Sequence, residues 1–185
     1  APFYTNDIEV VRSIAKSIPV DQILYVKEHP SAFLRGWRKI SEYKEILDIP
    51  NVVLIHPDFS SEQLYKHTSL VITIGGSAGF EGALYGKPSI IFNELRYSIL
   101  PCVYRLKSIE ELPNAISNSI NTKVDVNDVN KFIKLLEHVT IDFNWLEVFT
   151  EFEKLLDSFS FTELFGKAID WLYVDLPKFF FDLFS

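Results

Sequence analysis

The feature that most constrains the fold is a strand-like run passing without a break into a glycine-rich turn and then a helix. It reads LVITI at 70–74, GGSAG at 75–79, and a helical stretch through Glu81, Ala83 and Leu84. A short apolar run without polar alternation describes a strand buried on both faces, the kind found in parallel sheets covered by helices. Parallel pairing needs crossovers long enough to hold a helix. QILYV (22–26), VVLI (52–55) and SIIF (89–92) are three further runs of this kind, each separated from the next by a helix-sized interval. Pro30 ends the segment KEHP after the first run, and Gly86 with Pro88 closes the helix before the last.

The spacing predicts a helix capped by Thr5 or Asn6 with Ile8, Val11, Ile14 and Ala15 on its apolar face. Another is expected from about Ser41 to Leu47, and a short one through Leu64 and Tyr65. Beyond residue 108 the pattern is helical only, over roughly 109–120, 126–139 and 145–159. The expected fold is therefore α/β, a Rossmann-like doubly wound parallel sheet over residues 1–125. A helical extension over 126–185 is expected to pack on the body or on a further, amino-terminal domain. A chain that opens on Ala1 and contains no methionine is expected to be a segment of a longer protein.

Charge excludes one class of function. The net charge is −7, whereas nucleic-acid recognition needs a basic face. Residues 1–140 are nearly neutral, with 15 basic and 16 acidic side chains, and residues 141–185 carry 3 and 9. That acidic tail is also rich in aromatics, including Phe159, Trp171, Tyr173 and Phe180. Packing is its expected role. A membrane-surface helix is the second reading, and peripheral membrane association stays open, although such helices favour a basic polar face. The single cysteine, Cys102, excludes an internal disulfide and fits a reducing cytoplasm. No signal peptide is visible, and no stretch reaches the roughly 18 apolar residues of a spanning helix.

Ligands of open parallel sheets bind beyond the carboxyl ends of the strands, so KEHPS, HPDFSS and GGSAGFEG are expected to meet at one edge. Gly75 and Gly76 let a ligand approach the backbone and permit angles closed to other residues. Ser77 can cap the following helix or donate its hydroxyl to an anion near the helix amides. The turn is equally readable as plain strand-to-helix geometry. Glu81, one helical turn beyond Ser77, can accept hydrogen bonds from ribose hydroxyls or simply favour the helix dipole. His29 can pair with a phosphate, and Lys27, Arg35 and Arg38 can add charge around it, although solvation is their default. Ser60 and Ser61 can cap a helix or touch a nucleotide. His56, also followed by proline, is a weaker copy of the His29 situation, while His67 and Cys102 read as structural. The turn is neither a P-loop nor a dinucleotide fingerprint, and the matching segments carry no DxD-like metal motif.

In order and spacing, YVKEHPS…GWR…YKEI…PNVVLIHPDFSSEQL…LVITIGGSAGFEGALYGKPSIIF…YSILPCV closely resembles the bacterial capsule polysaccharide biosynthesis family, which includes transferases using CMP-activated Kdo. The resemblance covers roughly residues 20–105. It implies the GT-B architecture of two Rossmann-like domains facing a cleft, with this chain as the carboxyl-terminal, donor-binding half. It further implies His29 near the donor phosphate as the catalytic contribution, Gly75, Gly76 and Ser77 at the phosphate or sugar, and Glu81 at the ribose. Ser60 and Ser61 correspond to a serine pair near the nucleotide. The implied substrate is a nucleotide-sugar, CMP-linked, with no separate cofactor and no metal. The polysaccharide or glycolipid acceptor and the catalytic base belong on the other domain, so the chain alone is expected to transfer little sugar. The expected location is cytoplasmic, at the inner face of the cell membrane. A UDP-sugar epimerase, a CDP-glycerol-type phosphotransferase and a non-catalytic nucleotide-binding or assembly module remain alternatives.

Overall fold

Four of the apolar runs become strands where the sequence puts them, and a fifth strand joins them. The computed structural model describes residues 6–29 and 38–139, together with Thr150 and Lys154. Strand β1 (Leu24–Lys27) pairs in parallel with β2 (Val52–Ile55), Leu24 facing Val52 and Lys27 facing Ile55. A second parallel ladder has the order β3 (Val71–Thr73), β4 (Ser89–Ile91) and β5 (Val103–Arg105). Hydrogen bonding thus divides the strands between two small sheets, where the sequence pattern suggested one.

Helix packing joins the two sheets. Helix α1 (Asp7–Ser17) is capped by Asn6, whose side chain accepts from the Glu9 amide. Its Val10 and Ile14 enter one core with Ile90, Phe92, Leu106, Leu112 and Ile116, while Ile8 and Ala15 enter another with Ile46, Ile49 and Val52. Leu24 of β1 packs against both cores. Helix α2 (Ile40–Leu47) contributes Ile46, and the two-turn helices α3 (Ser61–His67) and α4 (Ala78–Leu84) follow β2 and β3.

The opposite face of β4 belongs to a third core. Ile91 packs there with Ala83 of α4, Tyr97, Leu100 and Val103, and with Val129 and Phe132 of α6 (Val126–Val139). Period-2 alternation therefore sends Ile90 and Ile91 to opposite cores, each 0 % exposed, and accounts for the unbroken apolar run SIIF. Burying such a side chain fully contributes about 1.5–3 kcal/mol. Helix α5 (Leu112–Ile120) covers the first face, preceded by a 3-10 turn at Ile109–Glu111 where the sequence pattern gave one continuous helix. The third expected tail helix and the aromatic segment lie outside the described residues, apart from Thr150 and Lys154. Pro30, Arg35 and Trp37 also lie outside them.

Helix α4 sits close to its strand because two of its residues lack side chains. A Cβ on Gly82 would lie 2.7 Å from Val71 Cγ2, and one on Gly79 would lie 2.9 Å from the Tyr97 hydroxyl. Gly86 serves differently, with φ +72° and nothing within 4 Å of an added Cβ. Gly82→Ala is expected to cost about 1–3 kcal/mol, since stiff Val71 cannot yield, which outweighs a helix-propensity gain of about 1 kcal/mol. Gly86→Ala is expected to cost about 1–2 kcal/mol through backbone conformation alone. Urea unfolding checks both, and a Gly82→Ala protein as stable as wild type would contradict the close packing of α4 on β3.

Candidate functional site

The turn after β3 is held from three sides. The Gly76 amide donates to Thr73 Oγ1 at 3.2 Å, the Gly76 carbonyl accepts from the Tyr97 hydroxyl, and the Ser77 carbonyl accepts from the Glu81 amide at 2.9 Å. Gly75, Gly76 and Ser77 are exposed, so the turn presents its outer side to solvent. Two expectations need correction here. Gly75 and Gly76 do not use the left-handed conformation, since among the described glycines only Gly86 has positive φ. Their lack of side chains serves close approach instead: a Cβ on Gly75 would meet Asn93 Nδ2 at 3.3 Å, and one on Gly76 would meet Thr73 Oγ1 at 3.4 Å. Ser77 occupies the capping position of α4 in helical conformation without a side-chain capping bond. Its hydroxyl turns to Glu81.

Ser77 Oγ donates to Glu81 Oε1 at 2.6 Å, and the Tyr65 hydroxyl donates to Glu81 Oε2 at 3.0 Å. Glu81 of α4 is thereby fastened to α3, where Tyr65 is buried and stacks on Tyr85 with ring centroids 5.5 Å apart. Burial, then the bond to the Glu81 carboxylate, pushes the Tyr65 phenol well above its ordinary value. The two helices start with a serine in the same relation to these residues. Ser61 lies four positions before Tyr65 and Ser77 four before Glu81, so each serine sits one turn nearer its helix start on nearly the same face. Ser60 caps α3, accepting from the Gln63 amide at 3.4 Å.

A second group gathers at the exits of β1 and β2. Glu28, directly after β1, accepts from Arg38 Nε at 2.7 Å and from the Tyr43 hydroxyl at 2.6 Å. Arg38 also donates to Asp7 at 2.6 Å. Its guanidinium is thus committed to two carboxylates, which corrects the expectation that it adds free charge around a ligand. Burial opposes its charge, but Asp7 and Glu28 more than offset this and raise the Arg38 pKa. Lys27 is partly buried at the end of β1 and has no ion-pair partner among the described residues. His29 is exposed. His56 shapes its own turn, its Nδ1 accepting from the Asp58 amide at 3.2 Å. An open groove of about 480 Å³ lies here, lined by Glu28, Tyr43, Leu54, Ile55, His56 and Pro57. Neither Ser77 nor Glu81 lines it.

The structure therefore brings Ser77 and Glu81 into direct contact, with the turn glycines beside them, and sets Lys27 and His29 at the exit of the other ladder. Tyr65, Tyr97 and Glu28 are the residues that sequence reasoning missed. Tyr65 and Tyr97 belong to helix and turn segments whose pairing with the β3 turn is tertiary. The Glu28–Arg38 pair spans 10 positions across a loop, a spacing with no local signature. Among the described residues, no three His, Cys, Asp or Glu side chains are grouped closely enough to hold a metal ion, and no helix is long and apolar enough to cross a membrane.

The sequence profile of a family described as capsule polysaccharide biosynthesis protein matches residues 5–107, a span running from α1 through β5 and enclosing both groups of residues. No curated protein and no solved structure matches the chain.

Tyr65→Phe keeps the ring stack and removes one bond to Glu81, so it is expected to cost about 0.5–1.5 kcal/mol near neutral pH. Because the folded-state phenol is raised, its contribution is fully present below the ordinary value of about 10 and is lost as pH climbs through the folded value. Unfolding curves from pH 8 upward are thus expected to fall less steeply for Tyr65→Phe than for wild type. Parallel alkaline limbs would contradict the Tyr65–Glu81 bond.

Proposed function

The chain belongs to the capsule polysaccharide biosynthesis family, and from that premise we propose that its carboxyl-edge site binds the nucleotide-sugar donor of a glycosyltransferase. The product is capsule or another surface polysaccharide. The observation that carries this reading is the Ser77–Glu81 pair at the exit of a parallel strand, braced by Tyr65 and lying inside the family-matched segment. Each Glu81 oxygen already accepts one hydrogen bond and keeps capacity for another, which suits a pair of ribose hydroxyls. The exposed turn at 75–77 suits the donor phosphate or sugar. Lys27 adds positive charge and His29 a hydrogen-bonding ring at the exit of β1, with Ser60 and Ser61 toward the nucleotide.

The donor is a CMP-sugar of the Kdo type, by resemblance of His29–Pro30 to the motif of such transferases. Transfer breaks the bond between the sugar and the phosphate oxygen, so negative charge grows on the departing CMP. A hydrogen bond from His29 and fixed backbone amides stabilise that charge more in the transition state than in the ground state. The acceptor hydroxyl loses its proton to a base on a second Rossmann-like domain, which also holds the polysaccharide or glycolipid acceptor. This division of labour puts the reaction at the cytoplasmic face of the membrane, with peripheral association through the acceptor.

Calorimetric titration with CMP, CDP and UDP tests the reading. CMP is expected to bind most tightly, with His29→Ala and Glu81→Gln each weakening it about tenfold, equivalent to about 1.4 kcal/mol. UDP preference would favour a UDP-sugar enzyme such as an epimerase. Absence of binding at millimolar nucleotide would contradict a donor site on this chain.

A further inference from the structure

Four side chains from separate segments meet at the exit of β1. Arg38, two residues before α2, donates from Nη2 to Asp7 in the first turn of α1 at 2.6 Å, and from Nε to Glu28 at 2.7 Å. The other Glu28 oxygen accepts from the hydroxyl of Tyr43, on α2, at 2.6 Å. Both oxygens of one carboxylate are thus gripped, and the side chains are largely out of water, Glu28 14 % and Arg38 26 % exposed. The bond to Glu28, ahead of burial, pushes the Tyr43 phenol above its ordinary value, so it stays a donor at neutral pH. Removing two charges from water offsets much of what their attraction returns, so such a pair contributes little net stability beyond an apolar pair of the same size. What it supplies is direction.

Glu28 precedes His29 in the chain, and Pro30 follows it. The proline ring disfavours helical angles at His29 and favours extended backbone there. On an extended chain, successive side chains point to opposite sides. Glu28 turned inward to Arg38 and Tyr43 therefore sends His29 outward, and His29 is exposed. The two constraints complement each other: Pro30 limits the backbone of His29 itself, and the grip on Glu28 fixes the residue before it. Released from Arg38 and Tyr43, Glu28 would rotate and His29 would swing with it. We propose that Glu28 is a positioning residue for His29, holding the imidazole on the ligand side of the carboxyl edge through its bonds to Arg38 and Tyr43. The role rests on the reading of His29 as the contact to the donor phosphate. Glu28 touches no ligand in this scheme, since a carboxylate repels a phosphate that approaches it.

The test is a double-mutant cycle on CMP affinity, with Glu28→Leu made in wild type and in His29→Ala. Leucine keeps bulk at position 28 and removes both bonds to the carboxylate. With His29 present, Glu28→Leu is expected to weaken CMP about fivefold; in His29→Ala, with no imidazole to position, it is expected to change affinity less than about twofold. Glu28→Gln keeps an acceptor for Arg38 and is expected to regain most of the affinity that Glu28→Leu loses. Equal losses in both backgrounds would make Glu28 a direct contact or a packing residue and overturn the proposal. A loss for cytidine, which lacks the phosphate, as large as that for CMP would also overturn it. Should Glu28→Leu fail to fold, Tyr43→Phe replaces it in the cycle, keeping the ring and releasing one Glu28 oxygen. Its loss of CMP affinity is expected to depend on His29 in the same way, and additive losses would overturn the proposal. If wild type binds no CMP, the donor reading falls and the proposal falls with it. If wild type binds CMP and His29→Ala weakens it, but Glu28→Leu binds it as wild type does, only the positioning role falls.

Discussion

The carboxyl edge depends on Ile90 and Ile91 pointing to opposite faces of β4, where each is fully buried. Burial on both faces requires helices on both, and parallel neighbours require that all strand exits of the ladder lie at one edge. The turn after β3 and the Arg96–Ile99 turn after β4 are thereby brought side by side, although 21 positions separate Gly76 from Tyr97. Gly79 and Gly82 then let α4 settle on Val71 and beneath Tyr97, which fixes where Glu81 stands. The same close packing that stabilises the ladder orients the turn.

Much of this was legible in the sequence because parallel-sheet strands announce themselves as apolar runs. The four runs ending in SIIF became strands, and Asn6, Ser60 and Gly86 took the cap, cap and turn positions their chemistry favours. Strand β5 was not legible. It has three residues, and Tyr104 and Arg105 are exposed, so it lacks an apolar signature. The division into two ladders was likewise invisible, since residue types along β1 and β3 do not record which strands exchange hydrogen bonds.

Within the candidate site, residue types told of chemistry and missed the partners. Ser77 read as a cap because serine favours that position, yet the hydroxyl meets Glu81 one turn along, where a charged acceptor gives a shorter, stronger bond. Arg38 read as a free cation because its two carboxylate partners come from distant positions, Asp7 and Glu28. The outcome is an edge of mixed polarity. Glu81 and the exposed 75–77 turn stand at the β3 exit, and Lys27 with His29 stands at the β1 exit.

The most direct test of the donor site is a crystal structure of the chain with CMP bound. The account predicts ribose hydroxyls within hydrogen-bond distance of Glu81 and a phosphate oxygen at the Ser77 amide. Nucleotide seated instead in the groove between Tyr43 and Pro57, with the 75–77 turn empty, would contradict it.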